Sequence, residues 1–285
     1  MSDTDIIAIP NNPPLHSMAE AVENIVFARP EGMELSMTLL RPWQQHETDR
    51  QPVPLIVFVQ GSGWTFPRIG FQLPQMARYA QGGRAVAMIT HRNATQGHPF
   101  PAFLQDVKTA IRHLRANAAE YGIDPGRVCV FGTSSGGNAA LLAGLTGDDP
   151  RYRTEEYDDQ SDSVQAVIAC FGPTDIEALF HNDAENIRAH PVYSGLLGSQ
   201  DAGDVMRAMS PILQIEEGRQ YPPFLLIHGD QDELVPYEQS LDMFRALRNA
   251  GHAADLIRVI GAPHEGNFWS DRLHGLIAEF LDDKL

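Results

Sequence analysis

Gly132-Thr133-Ser134-Ser135-Gly136-Gly137 is the stretch on which the reading of this chain turns. An apolar run, Val128-Cys129-Val130-Phe131, leads into it, and a helix-like run over 138–145 leads out. Strand, Gly-x-Ser-x-Gly, then helix is the setting of a strained turn that lifts a serine hydroxyl above a sheet. Glycines on both sides let neighbouring backbone pass close to that turn. Only Ser134 has glycine two residues before and two after, so Ser134 is the candidate nucleophile and Ser135 supplies a backbone N–H beside it. Read alone, the six residues also fit an ordinary Gly/Ser turn capping a helix. The rest of the chain has to decide.

Working outward, residues 54–59, Pro-Leu-Ile-Val-Phe-Val, are continuously apolar, as in a parallel strand buried on both faces. Further strands are expected over 24–28, 33–40, 84–90, 164–171, 223–227 and 256–260, the first two joined by a Pro-Glu-Gly turn. Helices are expected over 74–81, 103–119, 237–250 (Leu241, Phe244 and Leu247 inward) and 268–281. From residue 54 strands and helices alternate, which implies an α/β fold with a mostly parallel sheet covered on both faces. Residues 1–23 read as an irregular arm, 43–52 as a polar loop, and 148–162 as a charged, solvated loop. Residues 172–210 carry no strand pattern, and a stretch of that length between strands suits a small cap over a site. One domain over 24–285 with that insertion is expected.

A serine hydroxyl needs a base to take its proton, and the base needs an acid to hold its tautomer. Asp232 follows one predicted strand by a short turn, and His264 follows the next by Gly261-Ala262-Pro263. Parallel strands deliver such loops to one edge of a sheet, where ligands bind. Among the other histidines, His228 sits at a strand end and suits a local hydrogen bond; His91 and His98 lie on an earlier loop, in the wrong order. Asp230 rivals Asp232 as the acid, the other then shaping the turn, and Asp175 is a third candidate. Backbone donors for a developing oxyanion are expected from Ser62 and Gly63, in the loop Gln60-Gly61-Ser62-Gly63-Trp64, together with Ser135.

Composition narrows the partners. The chain has 285 residues, 43% of them hydrophobic, and a formal net charge of -16, which argues against nucleic acid or an anionic membrane surface. No apolar run is long enough to span a bilayer, and the acidic start Met1-Ser2-Asp3-Thr4-Asp5 lacks the form of a signal peptide, so a cytoplasmic location is expected. Cys129 and Cys170 each fall in a predicted strand and read as small core residues. No metal-ligand cluster or phosphate loop is visible, so neither metal nor cofactor is expected. Oligomeric state, homo-oligomer included, is left open.

Several stretches together resemble the α/β-hydrolase fold, in the esterase/lipase group related to hormone-sensitive lipase, and most of all its bacterial feruloyl-esterase-like branch. They are 57–64, 124–137, Phe171-Gly172-Pro173-Thr174-Asp175, the run from His228 to Pro236, and His264. The resemblance covers about residues 54–270. It implies that the acid is the aspartate three before Val235-Pro236, which is Asp232, and that an ester is attacked through an acyl-enzyme. Two departures stand out. The usual His-Gly-Gly-Gly loop is here Gln60-Gly61-Ser62-Gly63, and the usual glycine after the histidine is here Glu265. The resemblance implies a small-molecule ester substrate: a short acyl ester, or an acetylated or feruloylated carbohydrate. A peptidase or amidase with the same triad, and an inactive binding scaffold, are the rivals. Trp64, Phe66, Phe100, Phe268 and Trp269 lie on or near predicted rim loops, and Trp64, Phe66 and Trp269 are expected to touch substrate.

Overall fold

A computed structural model describes residues 7–8, 18–43, 51–179 and 190–285. Eight strands form one sheet: β1 Ala19–Ala28, β2 Leu35–Pro42, β3 Val53–Val59, β4 Ala85–Ile89, β5 Ile123–Thr133, β6 Ala166–Cys170, β7 Phe224–Gly229 and β8 Ala254–Val259. Their spatial order is β1-β2-β4-β3-β5-β6-β7-β8. β1 pairs with β2, and β2 with β4, antiparallel; every other neighbouring pair is parallel.

The continuous apolar runs are explained by two-sided burial. In β3, Leu55, Val57 and Val59 enter one core cluster while Ile56 and Phe58 enter the other; in β5, Val128 and Val130 part from Cys129 and Phe131 in the same way. Side chains alternate across a strand, so a strand with helices on both sides has no position left for a polar residue. Phe58 and Phe131, paired in register, meet edge to face at 5.3 Å. Both cysteines are buried and unpaired.

Strand and helix spans differ from the sequence reading mostly at their ends. β1 starts at Ala19, so residues 19–23 belong to the sheet and not to an irregular arm; residues 1–6 and 9–17 of that arm, and most of the polar loop at 44–50, lie outside the described residues. The helix expected over 103–119 runs Ala102–Ala116, and Ala118–Tyr121 forms a separate turn. In the helix Tyr237–Asn249 the buried face is Gln239, Ser240, Met243 and Leu247, whereas Leu241 and Phe244 are half-buried. The last helix starts only at Asp271, after a short turn at Gly266–Phe268.

The charged loop over 148–162 is not solvated throughout. Asp162, at the end of the stretch expected to be solvated, is buried, and its carboxylate accepts from Lys108 Nζ at 2.6 Å and from Arg112 at 3.0 Å. Both cations belong to the helix Ala102–Ala116 and are themselves buried. A carboxylate held by two cations can leave water where an unpaired one cannot.

Candidate active site

Four parallel strands bring the candidate residues to one edge. β5 ends at Thr133, and the next residue, Ser134, takes φ 52° and ψ -123° before the helix Ser135–Leu145 begins. For any residue but glycine this is strained backbone, of order 1–3 kcal/mol, and it persists only where its surroundings over-determine it. Here they do. A Cβ on Gly132 would stand 1.9 Å from Gly136 O, and one on Gly136 would stand 2.0 Å from Val59 O. Both obstacles are backbone, so the two glycines of the motif are required by space. Ser134 N–H donates to Cys170 O of β6 at 2.9 Å and fastens the turn to the next strand.

His264 comes from the loop after β8 and Asp232 from the loop after β7. His264 Nε2 lies 3.0 Å from Ser134 Oγ, and His264 Nδ1 lies 2.7 Å from Asp232 Oδ2. The other carboxylate oxygen, Oδ1, accepts the backbone N–H groups of Leu234 and Val235, each at 2.9 Å. Burial by itself would push the Asp232 carboxyl up, but hydrogen bonds from His228, His264 and the Val235 N–H outweigh it and hold the group well below the usual carboxylate range. Asp232 is therefore ionised at neutral pH and fixed in orientation from three sides.

The rivals have other work. His228 meets Ser240 Oγ at 2.7 Å through Nδ1 and donates to Val235 O through Nε2, the local role expected of it, while also lying 3.2 Å from Asp232. His91 is buried, its Nδ1 donating to Arg92 O. His98 faces Glu31. Asp230 accepts from Gly261 N–H and Arg258 and so ties the β7 loop to the β8 loop. Asp175 accepts the Ala178 N–H at the start of the short helix Ile176–Leu179.

The donor loop differs from expectation in one residue. Ser62 N–H does not face the site: it donates to Ser135 Oγ at 2.9 Å. Gly61 N–H donates to Thr133 Oγ1 at 2.9 Å. Among the described residues, the N–H groups of Gly63 and Ser135 have no acceptor, and both residues line the cavity above Ser134. The two hydroxyls flanking Ser134 thus hold the loop against the turn. Gln60, which stands where the family pattern has histidine, is buried and its Oε1 has no partner among the described residues. The positive end of the helix Ser135–Leu145 adds to the field where negative charge would develop.

The cavity measures about 430 Å³. Of the three residues expected to touch substrate, Trp64 lines it, with its ring 5.6 Å from that of Tyr193. The other two lie elsewhere. Phe66 is exposed in a separate depression beside Gln60 and Arg68. Trp269 stacks on His274 at 5.2 Å and packs against Phe171 and Phe268. Phe100 and Phe268 are core residues. Lining residues that sequence reasoning did not single out are Pro173, Leu179, His190, Tyr193, Leu234 and Val235. Leu234 and Val235 sit two and three residues after Asp232, and Pro173 sits three residues past the end of β6, so their places after strands could have marked them. Leu179, His190 and Tyr193 come from the 172–210 insertion, of which 180–189 lie outside the described residues. Among the described residues, no helix is long and apolar enough to cross a membrane.

The chain is similar to known proteins over most of its length. Esterase LipC of Mycobacterium tuberculosis is 32% identical over 265 residues, which are 86% of this chain and 64% of LipC. The chain therefore spans less than two thirds of the length of that relative. A truncated carbohydrate esterase from gut microbiota superposes with a TM-score of 0.77 at 28% identity, covering 94% of this chain and 97% of that one. The thermophilic esterase Est2 of Thermogutta terrifontis, solved with propionate bound, superposes with a TM-score of 0.76 at 25% identity, covering 96% and 97%. Both likenesses cover nearly all of the chain, and with the mostly parallel sheet they make the architecture an α/β-hydrolase fold. The BD-FAE family model matches residues 44–247, from the approach to β3 through the helix after the acid loop. A match over most of the chain, and not over one motif, decides the matter: this chain belongs to the BD-FAE family, within the feruloyl-esterase-like α/β-hydrolases.

Proposed function

We propose that the chain is a serine carboxylesterase acting through an acyl-enzyme, with Ser134 as nucleophile, His264 as base and Asp232 as the acid that orients it. The observation that carries this reading is the 3.0 Å approach of His264 Nε2 to Ser134 Oγ, with Asp232 on the far side of the ring at 2.7 Å. Asp232 accepts the Nδ1 proton, which leaves Nε2 to accept from the serine. As Ser134 Oγ bonds to the acyl carbon, its proton passes to Nε2 and the carbonyl oxygen takes the negative charge, met by the N–H groups of Gly63 and Ser135. His264 then gives the proton to the departing alkoxide as the C–O bond breaks. Water repeats the sequence on the acyl-enzyme, its proton going to His264 and then back to Ser134 as the acid leaves.

Apolar walls from Trp64, Leu179, Tyr193 and Val235 suit a short acyl or phenolic acyl group, and the volume suits a small one. The relatives reported above are named as esterases, one of them a carbohydrate esterase, which favours acetylated or feruloylated carbohydrate as the natural class and lends nothing to the peptidase reading. The described part of the 172–210 insertion contributes Leu179, His190 and Tyr193 to the wall, which supports reading it as a small cap. A panel of aryl acetates and butyrates, acetylated sugars, feruloyl esters and aminoacyl anilides tests the reaction class. Turnover of short acyl esters is expected, with an organophosphonate adduct on Ser134. A higher kcat/KM for an anilide than for the best ester would overturn the reading, as would an adduct on Ser135.

A further inference from the structure

Glu265 stands where the family pattern has glycine, and its backbone shows the strain: φ 69° with ψ -159°, a conformation open almost only to glycine. A non-glycine residue held there, directly after the candidate base, calls for a compensating contact. The side chain supplies one. Gln72 Nε2 donates to Glu265 Oε1 at 2.9 Å. Gln72 is 1% exposed, and its Oε1 accepts from Thr133 Oγ1 at 3.3 Å. Thr133 Oγ1 in turn accepts the Gly61 N–H of the donor loop. Thr133 precedes Ser134, and Glu265 follows His264. The bonds therefore close a ring: Ser134, His264, Glu265, Gln72, Thr133 and back to Ser134, with the donor loop attached at Thr133.

We propose that Glu265 and Gln72 are positioning residues, forming a strut that sets the His264 loop against the Ser134 turn and the donor loop. His264 must accept a proton from Ser134 and hand it to a leaving group at another position, so a shift of its ring by a fraction of an ångström spoils one transfer or both. Without the strut, the hydrogen bond of His264 itself and the packing of Phe171 against His264 and Phe268 would be left to hold the His264 loop near the Ser134 turn. The proposal rests on the triad assigned above but not on the identity of the ester.

The test is the second-order rate of phosphonylation of Ser134, read by mass spectrometry, alongside the melting temperature. Glu265→Gly relieves the backbone strain while removing the strut. A positioning role predicts an unchanged or raised melting temperature and a rate reduced about tenfold or more, in line with the cost of misplacing a catalytic group. A role in stability alone predicts the reverse pattern. Glu265→Gln keeps an acceptor for Gln72 Nε2 and is expected to stay within about threefold of the parent rate, whereas Gln72→Met, which breaks the strut from the other side, falls with Glu265→Gly. A Glu265→Gly or Gln72→Met rate within threefold of the parent would overturn the proposal. So would a Glu265→Gln rate as low as that of Glu265→Gly, since the charge and not the strut would then be at work. Failure of the parent protein to hydrolyse any ester, with Ser134 still labelled and the variants ordered as above, would refute the esterase reading and leave the strut supported.

Discussion

Replacing Asp232 with asparagine changes one atom and should abolish most of the activity, for a reason visible in the loop around it. The carboxylate has two faces. Oδ1 accepts two backbone N–H groups, from Leu234 and Val235, each at 2.9 Å, and Oδ2 faces His264 Nδ1 at 2.7 Å. An asparagine must choose which face receives its oxygen. Turning the oxygen toward His264 would set the amide NH₂ against two donors and leave both backbone N–H groups without an acceptor, at about 1–3 kcal/mol apiece. Keeping the oxygen on the backbone costs less, and it points the NH₂ at His264 Nδ1. His228 Nε2, 3.2 Å away but already donating to Val235 O, opposes this more weakly. The amide then donates to Nδ1, the ring carries its proton on Nε2, and Ser134 faces a donor where it needs an acceptor. In a serine protease the same substitution costs about ten-thousandfold in kcat, which is about 5 kcal/mol of barrier. A loss of that order is expected here, measured as kcat for an aryl acetate with active sites counted by phosphonate titration. Asp230→Asn is the control: Asp230 holds Gly261 and Arg258, away from the histidine ring, and should lose less than about tenfold because only the loop is loosened. Equal losses in the two variants, or less than tenfold for Asp232→Asn, would falsify the tautomer argument.

The remaining expectations are shorter. Ser135→Ala keeps the backbone N–H that faces the cavity but removes the hydroxyl that accepts from Ser62 N–H, so kcat should fall without loss of Ser134 labelling, by less than the hundred- to thousandfold expected when a whole oxyanion donor is removed; an unchanged kcat would show that the loop holds itself. Stability should fall as the solution is made acidic, because burial lowers both His91 and His274 from 6.5 to about 4. Each stays neutral in the folded chain while the unfolded chain takes up a proton, so stability present above about pH 6.5 is lost on going down to about pH 4, by roughly 3 kcal/mol for each group. Thermal melts across that range check it: His274→Gln should flatten part of the decline, and a melting temperature independent of pH from 6.5 to 4 would refute it.

The order of the triad along the chain was legible from residues alone because each member is fixed by short-range pattern: a strand, a tight turn, and a reactive residue placed where the strand ends. Parallel pairing then obliges such turns to share an edge, so Ser134, His264 and an acid from the turn at 230–232 could be grouped without knowing a single distance, while the choice of Asp232 over Asp230 rested on the family resemblance. The glycines of the motif were legible for the same local reason, and the structure adds which backbone atoms they make room for. What sequence could not reach depends on contacts between residues far apart in the chain. Ser62 looked like an oxyanion donor because its loop is the right one, but its N–H is claimed by a hydroxyl 73 positions away. Trp269 looked like part of a rim because it follows His264 closely, yet the turn at Gly266–Phe268 directs it onto His274. Residues 148–162 looked solvated because charged residues are usually wet, and only the neighbouring helix supplies the two cations that bury Asp162. Glu265 was visible as a departure from a glycine, but its partner Gln72 lies 193 positions earlier in the chain. Local pattern determines where the chain turns and which reactive group each turn carries. Which N–H is already spent, which ring is core and which carboxylate is braced are decided only when distant segments pack, because a hydrogen bond depends on ångströms that sequence separation does not record.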